Sequence, residues 1–98
     1  EKWMTAYVIA MVDVHDPEKY KGYMALASQA CQEHGGKYLA RGGEKEIMEG
    51  SFVGDRVVIL EFESRDKARA FYHSATYQAG KQARAGAADF NMMIVDGM

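Results

Sequence analysis

The sequence predicts an α+β fold in which helices cover one face of an antiparallel β-sheet. Two observations support this prediction. Apolar runs of strand length alternate with helical patterns, and the elements follow the order strand, helix, strand, strand, helix, strand. This order is the ferredoxin-like βαββαβ arrangement. The chain of 98 residues suits one domain, which we place at residues 4–98.

The first strand is predicted over residues 5–14, where both alternating faces are apolar. A helix follows over residues 17–34, because Asp16 can cap its free amides and apolar side chains recur at steps of three and four residues. The glycine pair Gly35-Gly36 is predicted to end this helix, since glycine enters the left-handed region without a Cβ penalty.

The middle of the chain predicts two further strands. The first covers residues 37–41, is kinked by glycines at 42–43 and continues over 45–49. Residues 50–55 are predicted to reverse the chain direction. Residues 56–62 then form the clearest strand of the sequence.

The last third predicts a second helical region and a closing strand. Ser64 is placed to cap a helix, and Ser74 begins a short second segment that ends near Gly80. Residues 81–88 are predicted to be a loop or a turn of helix. The final strand is predicted over residues 90–95.

The strand patterns predict that a second molecule covers the sheet. Helices can cover only one face, yet residues 5–14 and 56–62 are apolar on both faces. A solvated face of an antiparallel sheet normally alternates apolar and polar residues. We therefore expect a homodimer in which the sheets of two copies pack face to face about a two-fold axis.

The composition excludes several functional classes. Hydrophobic residues make up 48%, charged residues 27%, and the formal net charge is −2, with acids and bases interspersed, so we expect no nucleic-acid partner. We find no apolar run long enough for a membrane span and no signal-peptide pattern. Cys31 is the single cysteine, and we expect a cytoplasmic protein. Residues 1–3 precede the first methionine and are expected to derive from the expression vector.

Arg41 is the first candidate binding residue, because it lies beside the glycine kink. A guanidinium group donates in a planar geometry that suits a carboxylate, so Arg41 is a candidate anion clamp. The alternative is an ion pair with Glu49 that holds the kink in place. A cavity beside Arg41 with unpaired donors favours the clamp, whereas a dry ion pair favours the structural role.

Tyr77 and Arg84 are the second candidates, because they lie in the least regular part of the second half. Together they could hold an acidic or enolic small molecule beside Arg41. In the alternative interpretation, Tyr77 packs the short helix onto the sheet and Arg84 pairs with Asp89 or Glu61.

Glu61 is the least expected residue of its strand, since a carboxylate on a buried face must be paired, protonated or exposed in a cavity. We include Glu61, together with Glu49, among the candidate ligand-binding residues. The more common role of such a glutamate is a partly solvated salt bridge at a strand end.

The histidines and the cysteine do not predict a metal site. Cys31 and His34 share a helical face, but a spacing of three is weak evidence for a catalytic pair, and core packing explains it better. His15, His34 and His73 are scattered without ligand spacing. We expect neither a metal nor a cofactor.

Several motifs resemble a bacterial family known as domain of unknown function 1330. The matching pieces are residues 7–10 with Asp16-Pro17, the glycine block at 35–43, Glu49-Gly50, residues 57–62, residues 74–78 and Arg84. The resemblance covers the chain from Met4 onward. It implies a dimeric α+β barrel of ferredoxin-like subunits, similar in fold to cofactor-free monooxygenases, lactone isomerases and haem-handling proteins.

Two functions remain open at this stage. The first is a homodimer with a mainly apolar pocket that binds a small organic acid or enol. If such a protein is an enzyme, we expect cofactor-independent isomerisation or oxygenation, with Arg41 stabilising the anion. The second is a non-catalytic dimeric binding or scaffold protein in which the glycine block only shapes the sheet.

Overall fold

The computed structural model describes residues 4–98, so the expectation for residues 1–3 lies outside the described residues. The strands are β1 (Ala6–Val14), β2 (Lys37–Arg41), β3 (Arg56–Phe62) and β4 (Ala88–Asp96), and the helices are α1 (Pro17–Glu33), α2 (Arg65–His73) and α3 (Ala75–Ala83). The sheet is antiparallel with the order β2-β3-β1-β4. The ferredoxin-like α+β class predicted from the sequence is confirmed.

The helix boundaries follow from local chemistry. The Asp16 side chain accepts a hydrogen bond from the Lys19 amide at 3.2 Å and caps α1, as predicted. Gly35, with φ of 73°, follows the end of this helix. Ser64 caps α2 by accepting from the Lys67 amide at 3.2 Å, and Ser74 caps α3 by accepting from the Tyr77 amide at 3.1 Å.

One predicted strand segment is wrong. Residues 45–49 do not continue β2, and the whole segment 42–55 lies outside the sheet. Gly42 adopts φ of 70°, which turns the chain away after its amide has donated to Val57 O at 2.8 Å. The glycine kink therefore ends the strand, because an extended continuation needs a negative φ.

The last third also differs in detail from the prediction. Residues 81–83 extend α3 beyond Gly80, and β4 begins at Ala88. Gly86, with φ of 77°, lies in the connection between them. The fold thus contains three helices in residues 4–98.

The two faces of the sheet have different environments. On the helix-covered face, β1 contributes Ala6, Val8, Ala10 and Val12, each at most 2% exposed. We call the other side the open face; it carries these partly exposed side chains from three strands: Tyr7, Ile9, Met11, Val57, Ile59, Met93 and Val95. The open face is thus largely apolar, and no helix within residues 4–98 covers it.

Segment 42–55 crosses beside the open face. Residues 45–49 and Phe52 enclose a hollow of about 510 Å³ together with Met11 and Val57. The segment also exposes Met48 to 80% and Val53 to 66%. Segment 42–55 therefore enlarges the apolar surface of the open face.

A pair of tyrosines forms a polar centre in the core beneath the helices. Tyr77 has no exposed surface, and its hydroxyl lies 2.9 Å from that of Tyr23. Burial raises the pKa of Tyr23 above its usual value of 10.0, and the neighbouring Tyr77 raises it further. Tyr23 therefore keeps its proton in the native state at alkaline pH.

None of the helices in residues 4–98 combines the length and hydropathy needed to cross a membrane.

Gly54→Ala should be strongly destabilising. A Cβ at Gly54 would lie 2.6 Å from the backbone of Met11 and Val12, and the residue has φ of 91°. We expect a loss of about 3 kcal/mol in unfolding free energy from the combined strain and overpacking, measured by urea denaturation. Gly43→Ala is the matched control, since a Cβ there meets no atom within 4 Å. Equal effects of the two changes would contradict this account.

Stability should fall above pH 10. The unfolded state releases the Tyr23 proton near the usual pKa of 10.0, whereas the native state retains it. The stabilisation of the native state by the retained Tyr23 proton is therefore complete below pH 10. Above pH 10 the free energy of unfolding falls by up to about 1.4 kcal/mol per pH unit. Tyr23→Phe should reduce the slope of unfolding free energy against pH, measured by urea denaturation. Tyr7→Phe on the open face is the control, and an unchanged slope in Tyr23→Phe would refute the assignment.

Candidate functional site

A groove lies between α2 and the edge strand β4, and we call it the β4 groove. It has a volume of about 590 Å³. Its walls are largely apolar and aromatic, formed by Val8, Ala68, Phe71, Tyr72, Phe90, Met92, Met93 and Ile94. Three arginines, Arg65, Arg69 and Arg84, complete the lining. A concave apolar groove with a few polar groups is typical of a small-molecule site.

Two of the three arginines have acidic partners. Arg65 Nε donates to Asp96 Oδ1 at 3.0 Å, and this hydrogen bond lowers the pKa of the exposed Asp96 carboxyl. Arg69 Nη1 lies 3.8 Å from Asp66 Oδ1. Their charges are therefore balanced locally.

Arg84 has a different environment. It caps the C-terminus of α3, and its guanidinium lies 3.8 Å from the ring centroid of Phe90 and 4.9 Å from that of Tyr23. Its Nη2 donates to the Tyr77 hydroxyl at 3.4 Å, while its buried Nε has no hydrogen-bond partner. The aromatic faces stabilise the cation in part, but a buried donor remains unused.

The β4 groove offers Arg84 no counter-ion. None of the described residues that line it is Asp, Glu or His. Burying a charge without an opposite charge is costly. An anion placed beside Arg84 in the groove would balance this charge.

A smaller space lies between α1 and the sheet, and we call it the inner cavity. Its volume is about 30 Å³, and it shares the walls Val8, Phe71, Phe90 and Met92 with the β4 groove. Arg41, Arg56 and Tyr20 also line it. Burial raises the pKa of Tyr20, and the positive charges of Arg56 and then Arg84 act in the opposite direction.

A β-bulge places Arg41 in the inner cavity. The pairing of β2 with β3 shifts register between Tyr38 and Ala40, so that Tyr38 and Arg41 both face the helices. Arg41 Nη2 then donates to Ser28 Oγ on α1 at 2.7 Å, and its guanidinium lies 4.3 Å from the Tyr38 ring centroid. Regular alternation would have directed Arg41 to the open face.

The structure brings some of the predicted site residues together. Tyr77 and Arg84 are in contact, and Arg41 lines the neighbouring inner cavity. Glu49 lies in the exposed segment 42–55, and Glu61 lies near the open face, 3.5 Å from Lys37 Nζ.

The ion pairs considered as alternatives do not occur among residues 4–98. No pair joins Arg41 to Glu49. Asp89 lies 2.9 Å from His15 instead of pairing with Arg84, and Glu61 pairs with Lys37. The packing alternative for Tyr77 does describe its burial beneath the helices, which coexists with its contact to Arg84.

Sequence reasoning missed Arg56, whose Nε is the other buried donor without a partner. The signal was present, because the two-residue period of β3 places Arg56 on the same face as Val58 and Leu60. The sequence pattern predicts that Phe90 lies in a strand, but it does not predict the stacking of this ring on Arg84.

The cysteine and the histidines lie apart from the β4 groove. Burial raises the pKa of the Cys31 thiol, and His34 Nδ1 lies 2.9 Å from the Ala30 carbonyl oxygen. In the described part of the chain, no three His, Cys, Asp or Glu side chains are grouped so as to hold a metal ion.

The fold is similar to several solved structures. A protein of unknown function from Rhodopseudomonas palustris, RPA0582, matches with a TM-score of 0.78 at 17% identity, over 99% of this chain and 85% of the other. SnoaB, a cofactor-independent oxygenase from Streptomyces nogalater, matches with a TM-score of 0.65 at 10% identity, over 97% of this chain and 94% of the other. A dimeric ferredoxin-like protein of unknown function from Thermobifida fusca matches with a TM-score of 0.61 at 14% identity, over 96% of this chain and 92% of the other.

A search of curated proteins finds no match to the chain. The family model described as domain of unknown function DUF1330 matches residues 5–98. This match spans almost the whole sequence and agrees with the motifs around the glycine block. The chain therefore belongs to the DUF1330 family.

Proposed function

We propose that the protein binds a small organic acid or enol in the β4 groove, with Arg84 holding the anionic group. The observation that carries this proposal is Arg84, which lines a groove without a described lining acid and whose buried Nε has no partner among residues 4–98. A carboxylate or enolate oxygen is the complementary acceptor, because charge-assisted hydrogen bonds are about twice as strong as neutral ones.

The walls of the β4 groove favour a ligand with an apolar or aromatic body. Phe71, Tyr72 and Phe90 supply ring faces, and Met92 adds an adaptable thioether. The volume of about 590 Å³ falls in the range common for small-molecule sites. The Tyr23–Tyr77 pair behind Arg84 fixes the guanidinium through the Tyr77 hydroxyl.

If the protein is an enzyme, we propose that the acidity of the substrate supplies much of its reactivity. The arginine lowers the pKa of an acidic enol or phenol bound beside it, because an opposite charge favours the ionised form. Cofactor-independent oxygenation or isomerisation of such an anion is the reaction class in best agreement with the fold shared with SnoaB. We place such an enzyme in the bacterial cytoplasm.

A non-catalytic binding protein is the second candidate, and one observation favours it. The described lining residues of the β4 groove offer no carboxylate or imidazole to act as a general base. A site that holds an anion without transferring its proton would need only Arg84 and the apolar walls.

We also propose that the active form is a homodimer joined through the open face. The dimeric protein from Thermobifida fusca shares the fold, and the apolar open face here needs a cover of the same character. Packing two sheets face to face would leave most of the β4 groove accessible, since Met93 is the one described lining residue that belongs to the open face.

Arg84→Met should weaken ligand binding. A thermal-shift screen of small carboxylates, phenols and lactones should find compounds that raise the melting temperature of the wild type. We expect Arg84→Met to weaken their binding by about tenfold or more, because it removes a charge-assisted hydrogen bond. The variant should still fold, since Met retains the apolar stem and removes a buried charge that has no counter-ion.

Lys67→Met is the control for this experiment, because it removes one positive charge from an exposed position on α2. Titration calorimetry on the responding compounds gives the affinities. An absence of any responding compound, or equal affinities in the wild type and Arg84→Met, would refute the proposed site.

Ile9→Lys should convert the proposed dimer into a monomer. Ile9 lies opposite Ile59 and Met93 in the sheet, near the centre of the open face. A lysine there would bury an unpaired charge between the two sheets, so we expect at least tenfold weaker dimerisation, measured by light scattering over a dilution series. Ala25→Lys on the exposed side of α1 is the control. A monomeric wild type, or an Ile9→Lys protein with unchanged mass, would rule out this interface.

A further inference from the structure

The inner cavity holds two arginine side chains that the proposed binding in the β4 groove does not use. Arg56 Nη2 has only the Met24 thioether as acceptor, at 3.7 Å, and Arg56 Nε is buried without a partner. Sulfur is a weak acceptor. Arg56 Nε therefore keeps donor capacity that no described residue satisfies.

The local backbone holds Arg56 in this position. A Cβ at Gly42 would lie 2.2 Å from Arg56 Nη1, so the side chain packs directly on the glycine backbone. Gly42 also requires the left-handed region, with φ of 70°. The guanidinium is therefore fixed by the same glycine that ends β2.

The charges around the inner cavity are not balanced. Arg41 and Arg56 both line it, and no described lining residue is Asp, Glu or His. Neither arginine belongs to any ion pair found among residues 4–98. Two like charges at one small space repel each other, and an anion between them would add an attractive interaction with each arginine.

We infer that the inner cavity is a second anion-binding pocket, in which Arg56 and Arg41 hold one small carboxylate group or an anion of similar size. The volume of about 30 Å³ is small, so the pocket cannot take the body of an organic acid larger than formate. It can take formate or the terminal carboxylate of a longer ligand.

Two sources of this carboxylate are consistent with the structure. A free small anion could occupy the pocket independently of the β4 groove. Alternatively, the ligand of the groove could be a diacid, with one carboxylate at Arg84 and the other at Arg56, and this second source rests on the proposed function. The shared walls Phe71, Phe90 and Met92 would then contact the body of the diacid.

Arginine Nε–H signals can test the pocket directly. In protein labelled with ¹⁵N-arginine, each of the five arginines gives one Nε–H signal, and Arg56→Lys identifies the Arg56 signal by its loss. We expect formate to move this signal saturably, because a new hydrogen bond forms at Nε. Arg41→Met should weaken formate binding by about tenfold, and it should fold because Arg41 is exposed. Lys67→Met should leave the affinity unchanged.

The inference fails if the Arg56 signal does not respond to formate. It also fails if the response does not saturate, which is the behaviour expected of the exposed Arg69 signal. A third contradicting result is that Arg41→Met binds formate as tightly as the wild type. Each of these results would show that the two arginines do not form an anion pocket.

A comparison of glutarate with butyrate separates the two sources. Joint movement of the Arg56 and Arg84 signals by glutarate, at an affinity at least tenfold above that of butyrate, supports the diacid. Movement of the Arg56 signal by formate alone supports a free small anion. If no acid moves the Arg84 signal, the proposed function fails, while the formate response of Arg56 still decides the inference.

Discussion

The burial of guanidinium groups on the helix-covered side of the sheet is the constraint on which the candidate site depends. Arg56 lies on β3 and Arg84 at the end of α3, and each has a buried Nε without a partner among residues 4–98. The surrounding residues contact both guanidinium groups. Phe90 and Tyr23 stack on Arg84, the Tyr77 hydroxyl accepts from it, and Gly42 gives Arg56 the room it needs. The core is thus arranged around positive charge.

Much of the fold could be predicted from the sequence, because its signals are local. Asp16 and Ser64 cap helices through their own side chains, and the apolar periods of β1 and β3 need no distant partner to be recognised. The failure at residues 45–49 has a physical cause. Strand propensity does not predict the positive φ of Gly42, which turns the chain out of the sheet.

The candidate site was harder to predict, because it depends on contacts between distant elements. Tyr77 was named as a binding residue, but its partner Tyr23 is 54 positions away on another helix. Arg41 faces the inner cavity only because of a one-residue shift in the pairing of β2 with β3. Such a shift depends on the partner strand and cannot be inferred from the alternation of one strand.

Segment 42–55 is held at both ends. The Gly42 amide donates to Val57 O at 2.8 Å, and the Asp55 amide donates to Val12 O at 3.1 Å. Between these anchors, the chain lies outside the sheet. Because loop closure entropy grows slowly, doubling the length of such a loop costs only about 0.6 kcal/mol. Insertions or deletions between these anchors should therefore cost little folding free energy, while the arginines on the opposite side of the sheet keep their positions.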